Sequence, residues 1–172
     1  MGGRSSQPLE RRGILPQPES KLGECFQMPI SPLLGPIVAL VAWTLVIQIW
    51  MYATRLPAMR KAGISFKGRV GTRGGALEGK IPDEVNWKAH NYNHLLEQPT
   101  IFYAIVVALI LMGFDVHVNV YLAWAYVGFR VLHSLVQATV NVVIYRFWLF
   151  ILGSLCLIGL TVHAAVFLIH HG

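Results

Sequence analysis

The feature of this sequence that most constrains its fold is a stripe of polar residues within a long apolar segment. Its members recur at spacings of three and four, so on a helix, at about 100° per residue, they fall within roughly a 100° arc. The stripe consists of Tyr126, Arg130, His133, Ser134, Gln137 and Asn141. An arginine at the bilayer centre costs about 2.5–3.5 kcal/mol on insertion scales, so Arg130 must face protein or water rather than lipid.

The composition indicates an integral membrane protein. Hydrophobic residues make up 55% of the 172 residues and charged residues only 13%, against about 25% charged residues in a typical soluble domain. The net charge of +6 does not indicate nucleic-acid binding, because eight of the fourteen basic residues lie between Arg55 and Lys88, between two apolar spans. By the positive-inside rule this segment is predicted to be a cytoplasmic loop, with both termini on the opposite side.

The apolar segments predict four membrane-spanning helices, at about residues 32–54, 87–112, 118–143 and 145–170. Each is near or above the ~20 residues that cross the hydrocarbon core. We expect Pro57 to mark the exit of the first span, and the last two spans to form a tight antiparallel hairpin. The predicted fold class is therefore all-α, an integral membrane four-helix bundle.

Residues 1–27 form a separate segment with three prolines and no apolar stretch long enough to insert into a membrane. We interpret this segment as a disordered tail or as the product of an upstream start codon, because Met28 stands just before the first span. The predicted membrane domain is then residues 28–172.

A second polar face lies on the predicted second span, where four residues again fall within about 100° of arc. They are His90, Asn93, His94 and Glu97. Because the second and third spans run in opposite directions, Glu97 and Arg130 are expected at a similar depth. A buried Glu97–Arg130 ion pair could fix the helix register, and the two polar faces together favour a water-accessible pocket between the helices.

Tyr145 and Arg146 begin the fourth span and have two interpretations. They fit an interfacial anchor, with the arginine extended toward water and the tyrosine in the aromatic belt. They also fit a cation beside a helix N-terminus, where the helix dipole favours anions such as a thiolate or a carboxylate.

Two stretches, WKAHNYNHLLEQPTIFYA and YVGFRVLHSLVQATVNVVIYRFWLFILGSL, resemble the MAPEG family, the membrane-associated proteins in eicosanoid and glutathione metabolism. The family carries an Arg on its second helix, then Asn four residues on and Glu three further. Glu97 matches this Glu, with His90 and His94 at the other two positions. The family's R-x-x-H on the third helix is matched by Arg130 and His133.

The resemblance implies a homotrimer with sites for glutathione between subunits and a lipophilic substrate that arrives from the membrane lipid. The implied function is that of a glutathione transferase or peroxidase acting on lipophilic electrophiles. Arg146 falls at the position of the arginine beside the glutathione thiol, and Gln137 stands where relatives use Tyr. The remaining implied glutathione-binding residues are His90, Asn93, His94, Glu97, Arg130, His133, Gln137 and Tyr145.

Two other functions remain open. The spacing of His90, His94 and Glu97, with His133 as a further ligand, is that of a metal site, and a haem between two histidines is also conceivable. The other interpretation is a non-catalytic MAPEG-like module that binds lipid and scaffolds a partner.

The segment GRVGTRGG does not indicate nucleotide binding, because it lacks the G-K-[ST] ending of a phosphate-binding loop.

Overall fold

The computed structural model describes residues 30–65, 67–68, 70–71 and 73–171. The chain divides into Met1–Ile30 and Ser31–Gly172, and the fold described here is that of the second unit. The prediction for residues 1–27 lies outside the described residues. The second unit contains α1 (Leu34–Lys61), a 3-10 helix (Gly74–Leu77), α2 (Asp83–Leu111), α3 (His117–Thr139) and α4 (Val143–His171). The all-α class is confirmed.

The helix ends differ from the predicted spans at two places that matter. α1 continues through Pro57 to Lys61, so this proline does not end the helix, and its place at the exit of the first span from the membrane stays a prediction. Pro57 has no backbone N–H, so α1 lacks one helical hydrogen bond at this position. The third helix ends earlier than predicted, at Thr139.

Length and composition alone mark α1, α2 and α4 as helices able to cross a membrane. The third helix is not among them, because its buried polar residues lower its hydropathy. It nevertheless packs against each of the other three helices, most extensively against α4. Its crossing of the bilayer stays a prediction.

The helices pack through an apolar core that continues along α2 and α3. The rings of Phe102 and Tyr126 stack with centroids 4.3 Å apart, and both side chains are fully buried. Leu40, Ile47 and Leu160 are also fully buried in this cluster. Many large apolar side chains on the outside of the bundle are exposed, as expected for helices whose outer faces contact lipid.

The connection between α3 and α4 is a short turn around Asn141. This residue adopts a left-handed conformation with φ of 52°, which asparagine tolerates better than most residues. Asn141 therefore lies in a turn and does not extend the helical stripe, contrary to the sequence prediction. Its Oδ1 accepts a hydrogen bond of 2.6 Å from Nη1 of Arg146, which links the turn to the first part of α4.

Candidate functional site

The polar face of α3 is buried inside the bundle. Arg130 is 2% exposed, and His133, Ser134 and Gln137 are buried with it. The amphipathic spacing explains this placement, because the opposite face of α3 carries exposed apolar side chains such as Leu132. A guanidinium has thus been brought into the interior of an apolar bundle.

Neutral groups surround the guanidinium of Arg130. Its Nε donates to the hydroxyl of Tyr126 at 3.3 Å, and its Nη2 donates to the backbone carbonyl of His94 at 3.5 Å. Its Cζ lies 5.5 Å from the ring centroid of Phe150 and 5.9 Å from that of Tyr126, a distance at which cations are attracted to aromatic rings. Within residues 30–171 as described, no carboxylate forms an ion pair with Arg130.

The expected ion pair between Glu97 and Arg130 is not formed. The side chain of Glu97 is 67% exposed, and its carboxylate lies 3.5 Å from Nδ1 of His94 on the same helix. The reason is the rotation of α2, which turns Asn91, Leu95 and Phe102 toward the core. The predicted polar face of α2 therefore points largely away from α3.

The rotation of α2 also separates the other residues predicted on it. His90 is exposed, and its Nε2 lies 3.2 Å from a carboxylate oxygen of Glu78 in the preceding connection. Asn93 is exposed as well, whereas His94 is partly buried. Of the four α2 residues predicted at the site, His94 alone lies against α3.

Two polar residues that the sequence reasoning missed face the bundle interior from α2. Asn91 Nδ2 donates to Ser134 Oγ at 2.7 Å, and Gln98 Nε2 donates to Ser154 Oγ at 2.8 Å. A signal for them was present, because Asn91 and Gln98 lie at helical spacing from Phe102 and the apolar residues that follow it. Extending that apolar face toward the start of α2 leads to Asn91.

Four basic side chains from α2, α3 and the start of α4 come together, and we call them the basic cluster. The rings of His94 and His133 have centroids 5.9 Å apart, and the charges of Arg130 and Arg146 act on both rings. Arg146 is partly buried, and Tyr145 beside it is 61% exposed. The cluster therefore combines two permanent positive charges with two imidazoles.

Several buried polar atoms beside the cluster have no hydrogen-bond partner in the described part of the chain. They include the acceptors Asn91 Oδ1 and Gln137 Oε1 and the donor Arg146 Nε. Because unpaired buried polar groups are costly, such atoms indicate water or a ligand. In this arrangement the two guanidiniums can bind an anionic group of a ligand, and the amide oxygens of Asn91 and Gln137 can accept hydrogen bonds from its N–H groups.

The metal alternative is not supported by the positions of its predicted ligands. His90 pairs with Glu78, away from His133, and Glu97 points outward. Among the residues that the structure describes, no group of three or more His, Cys, Asp or Glu side chains is placed to hold a metal ion.

The sequence model of the MAPEG family matches residues 33–166, which include α1, α2, α3, most of α4 and every residue of the basic cluster. No curated protein and no solved structure matches the chain. The family match and the apolar helices identify an integral membrane protein with a function related to glutathione or eicosanoid metabolism. This four-helix chain therefore belongs to the MAPEG family.

Proposed function

We propose that the protein is a glutathione-dependent membrane transferase or peroxidase acting on lipophilic electrophiles. The observation that supports this most is the environment of Arg130, which is 2% exposed and has only neutral partners among the residues that the structure describes. A buried charge without a counter-ion is strongly unfavourable. An anionic ligand would relieve this cost, and glutathione carries two carboxylates.

The residues of the basic cluster fit the functional groups of glutathione. Arg130 and His94 bind a carboxylate, since a guanidinium is suited to two parallel hydrogen bonds with one. Gln137 Oε1 is a buried acceptor with no partner among the described residues, and it accepts an N–H group of the tripeptide. Glu97, being exposed on α2, binds the ammonium group of glutathione at the boundary between subunits.

Arg146 is the proposed catalytic residue. A positive charge beside the glutathione thiol stabilises the thiolate and so lowers the pKa of the thiol. Its Nε is buried and has no hydrogen-bond partner in the described part of the chain, and its Nη1 is oriented by Asn141. The thiolate then attacks a carbon of a lipophilic electrophile that enters from the bilayer, so that a C–S bond forms while a leaving group departs or a conjugated double bond takes up a proton. With a hydroperoxide the thiolate breaks the O–O bond to give the alcohol, and a second glutathione converts the sulfenic acid to the disulfide and water. No side chain of this protein has to act as the nucleophile, because the substrate thiol does so.

The exposed polar face of α2 supports a homotrimer. His90, Asn93 and Glu97 are exposed in the single chain, and an ionised carboxylate in contact with lipid is costly. A neighbouring subunit would cover this face and complete the glutathione site between chains. We propose that the site opens toward the side of the basic connection and that this side is cytoplasmic.

The test is a titration of the purified protein with glutathione, followed by the ultraviolet absorption of the thiolate. We expect a thiolate signal at neutral pH in the unmodified protein and none in Arg146→Ala. Lys80→Ala, which removes an exposed cation outside the basic cluster, is the matched control and should keep the signal. An equal signal in Arg146→Ala would remove Arg146 from its proposed role.

A second candidate is a non-catalytic module that binds a lipophilic molecule. The ion pair between His90 and Glu78 favours it, because this pair holds His90 away from the basic cluster. The glutamine at position 137, where relatives use Tyr, also favours the non-catalytic module. Binding of a lipophilic ligand without any thiolate signal would select this candidate over the enzyme.

A further inference from the structure

A cavity of about 190 Å³ lies between the end of α1 and the connection that leads to α2, and it shares no residue with the basic cluster. One part of its wall is apolar, and two arginines, Arg55 and Arg73, line the rest together with Gly74 and Ala76. The apolar part is formed by Met51, Tyr52, Leu56, Met59, Ile64 and Leu77. The cavity is thus amphipathic.

The guanidinium of Arg55 is held in a defined position at this cavity. Its Nη2 donates to the backbone carbonyl of Gly74 at 2.6 Å, across nineteen residues of chain. Its Nε is buried and has no partner among the described residues. Arg55 therefore has donor capacity left after it has tied the connection to α1.

The apolar wall is also fixed by packing. Met59 and Leu77 are 3% and 8% exposed, and they form a small core of their own with Ile81. This core lies apart from the main core of the bundle. The connection is thereby folded against α1, so that packed side chains form one wall of the cavity.

The cavity lies where α1 passes from apolar to charged surroundings. Ile49, Tyr52 and Leu56 are exposed apolar side chains on α1, whereas Arg60 and Lys61 occupy its last turn. Between residues 55 and 88 the sequence has eight basic and three acidic residues. This is the level at which the headgroups of a bilayer meet a membrane helix.

We infer that this cavity binds the acidic headgroup of an anionic phospholipid from the surrounding bilayer. Arg55 and Arg73 pair with the phosphate, because guanidiniums form strong charge-assisted hydrogen bonds with phosphate oxygens. The first methylene groups of the lipid lie on the apolar wall, and its chains continue along Tyr52 and Leu56 toward the hydrocarbon. Free phosphate would leave the apolar wall uncovered, and a zwitterionic lipid would bring its own cation against the two arginines.

Lipid binding to the purified full-length protein in mild detergent can be measured by native mass spectrometry with dioctanoyl phosphatidylglycerol. Dioctanoyl phosphatidylcholine and inorganic phosphate are the comparison ligands. We expect the anionic lipid to bind most tightly and Arg73→Gln to weaken it about fivefold, as for loss of one charge-assisted hydrogen bond near a surface. Arg73 is exposed, so this substitution leaves the folded core intact. Lys80→Gln, an equal charge change outside the cavity, is the control.

A second variant fills the cavity without changing the charge of the protein. Ala76→Phe should fill the cavity and abolish lipid binding, whereas Ala62→Phe, on an exposed residue outside the cavity, should not. The thiolate signal with glutathione should stay unchanged in all four variants. Equal weakening by Arg73→Gln and Lys80→Gln, unchanged binding in Ala76→Phe, or equal binding of phosphate and the anionic lipid would each overturn the inference.

Discussion

The side-chain amide of Asn91 donates a hydrogen bond of 2.7 Å to the hydroxyl of Ser134, and both residues are fully buried between α2 and α3. This bond joins two helices at one defined rotation of each. A rotation of α2 that turned His90, Asn93 and Glu97 inward would break it and would expose Asn91 to lipid. The bond therefore helps to fix which face of α2 meets the basic cluster.

The Asn91–Ser134 bond can be tested by stability. Ser134→Ala should lower the free energy of unfolding by about 1 kcal/mol, because the buried amide loses its partner. The double variant Asn91→Leu, Ser134→Ala should lower the free energy of unfolding less than Ser134→Ala alone, since an apolar pair leaves no unpaired donor. Thermal unfolding in detergent measures both. Thr139→Ala is the control, because that exposed hydroxyl bonds only within its own helix, and an equal loss there would contradict the prediction.

Arg130→Met should affect the thermal stability of the protein and its affinity for glutathione in different ways. We expect the thermal midpoint to stay level or to rise, because a buried charge without a carboxylate partner is replaced by an apolar side chain of similar volume. The affinity for glutathione should fall at least about tenfold, as expected for loss of a charged hydrogen bond to a carboxylate. Calorimetric titration measures the affinity, with Lys80→Met as control. Unchanged glutathione binding in Arg130→Met would exclude Arg130 from the ligand site.

Gln137→Leu tests the unpaired amide oxygen at the site. The oxygen is buried without a partner in the described residues, so its removal should not destabilise the protein. If it accepts an N–H group of glutathione, the affinity should fall about fivefold. Gln48→Leu is the matched control, because Gln48 is a partly buried glutamine on α1. A loss of stability in Gln137→Leu, with glutathione affinity preserved, would assign this residue to packing alone.

The orientation in the membrane can be tested with single cysteines at Lys80 and His117. Both positions are exposed; Lys80 lies in the connection just before α2, and His117 is the first residue of α3. In a Cys25→Ser, Cys156→Ala background, a membrane-impermeant maleimide should label His117→Cys on intact cells. Lys80→Cys should react only after lysis, because basic connections stay in the cytoplasm. The reverse pattern would invert the proposed topology.

The proposed homotrimer predicts the mass of the protein in mild detergent. Native mass spectrometry should detect three chains, because Glu97 with its 67% exposed side chain needs a protein partner at membrane depth. A cysteine at Asn93 should be protected from a lipid-soluble maleimide in the assembled protein, whereas a cysteine at Ile158, an exposed apolar position of α4, should react. A monomer, or equal reactivity at the two positions, would count against the trimer.

The polar stripe of α3 was predictable from the sequence because one helix face holds nearly all its polar residues. Arg130, His133 and Gln137 are buried as that spacing requires. The stripe ends earlier than predicted, because Asn141 enters a left-handed turn and bonds Arg146 instead. Local spacing cannot reveal this turn, since the chain on both sides of it is equally apolar.

The inward face of α2 was not predictable from spacing in the same way. This helix has polar residues on two faces, one with His90 and Glu97 and one with Asn91 and Gln98. Each face satisfies helical spacing, so periodicity alone does not choose between them. The choice depends on Phe102 and Leu95, which pack into the core and carry Asn91 inward with them.

The sequence by itself determined the all-α class, the apolar helices and the buried polar face of α3, because the energy of placing a side chain in hydrocarbon depends on its chemistry and its helical position. Only the tertiary structure decided that Arg130 contacts the His94 carbonyl and not Glu97. It also assembled the Arg55 cavity from segments nineteen residues apart. Both depend on how helices rotate and pack against one another, and that rotation is set by all contacts of the bundle together.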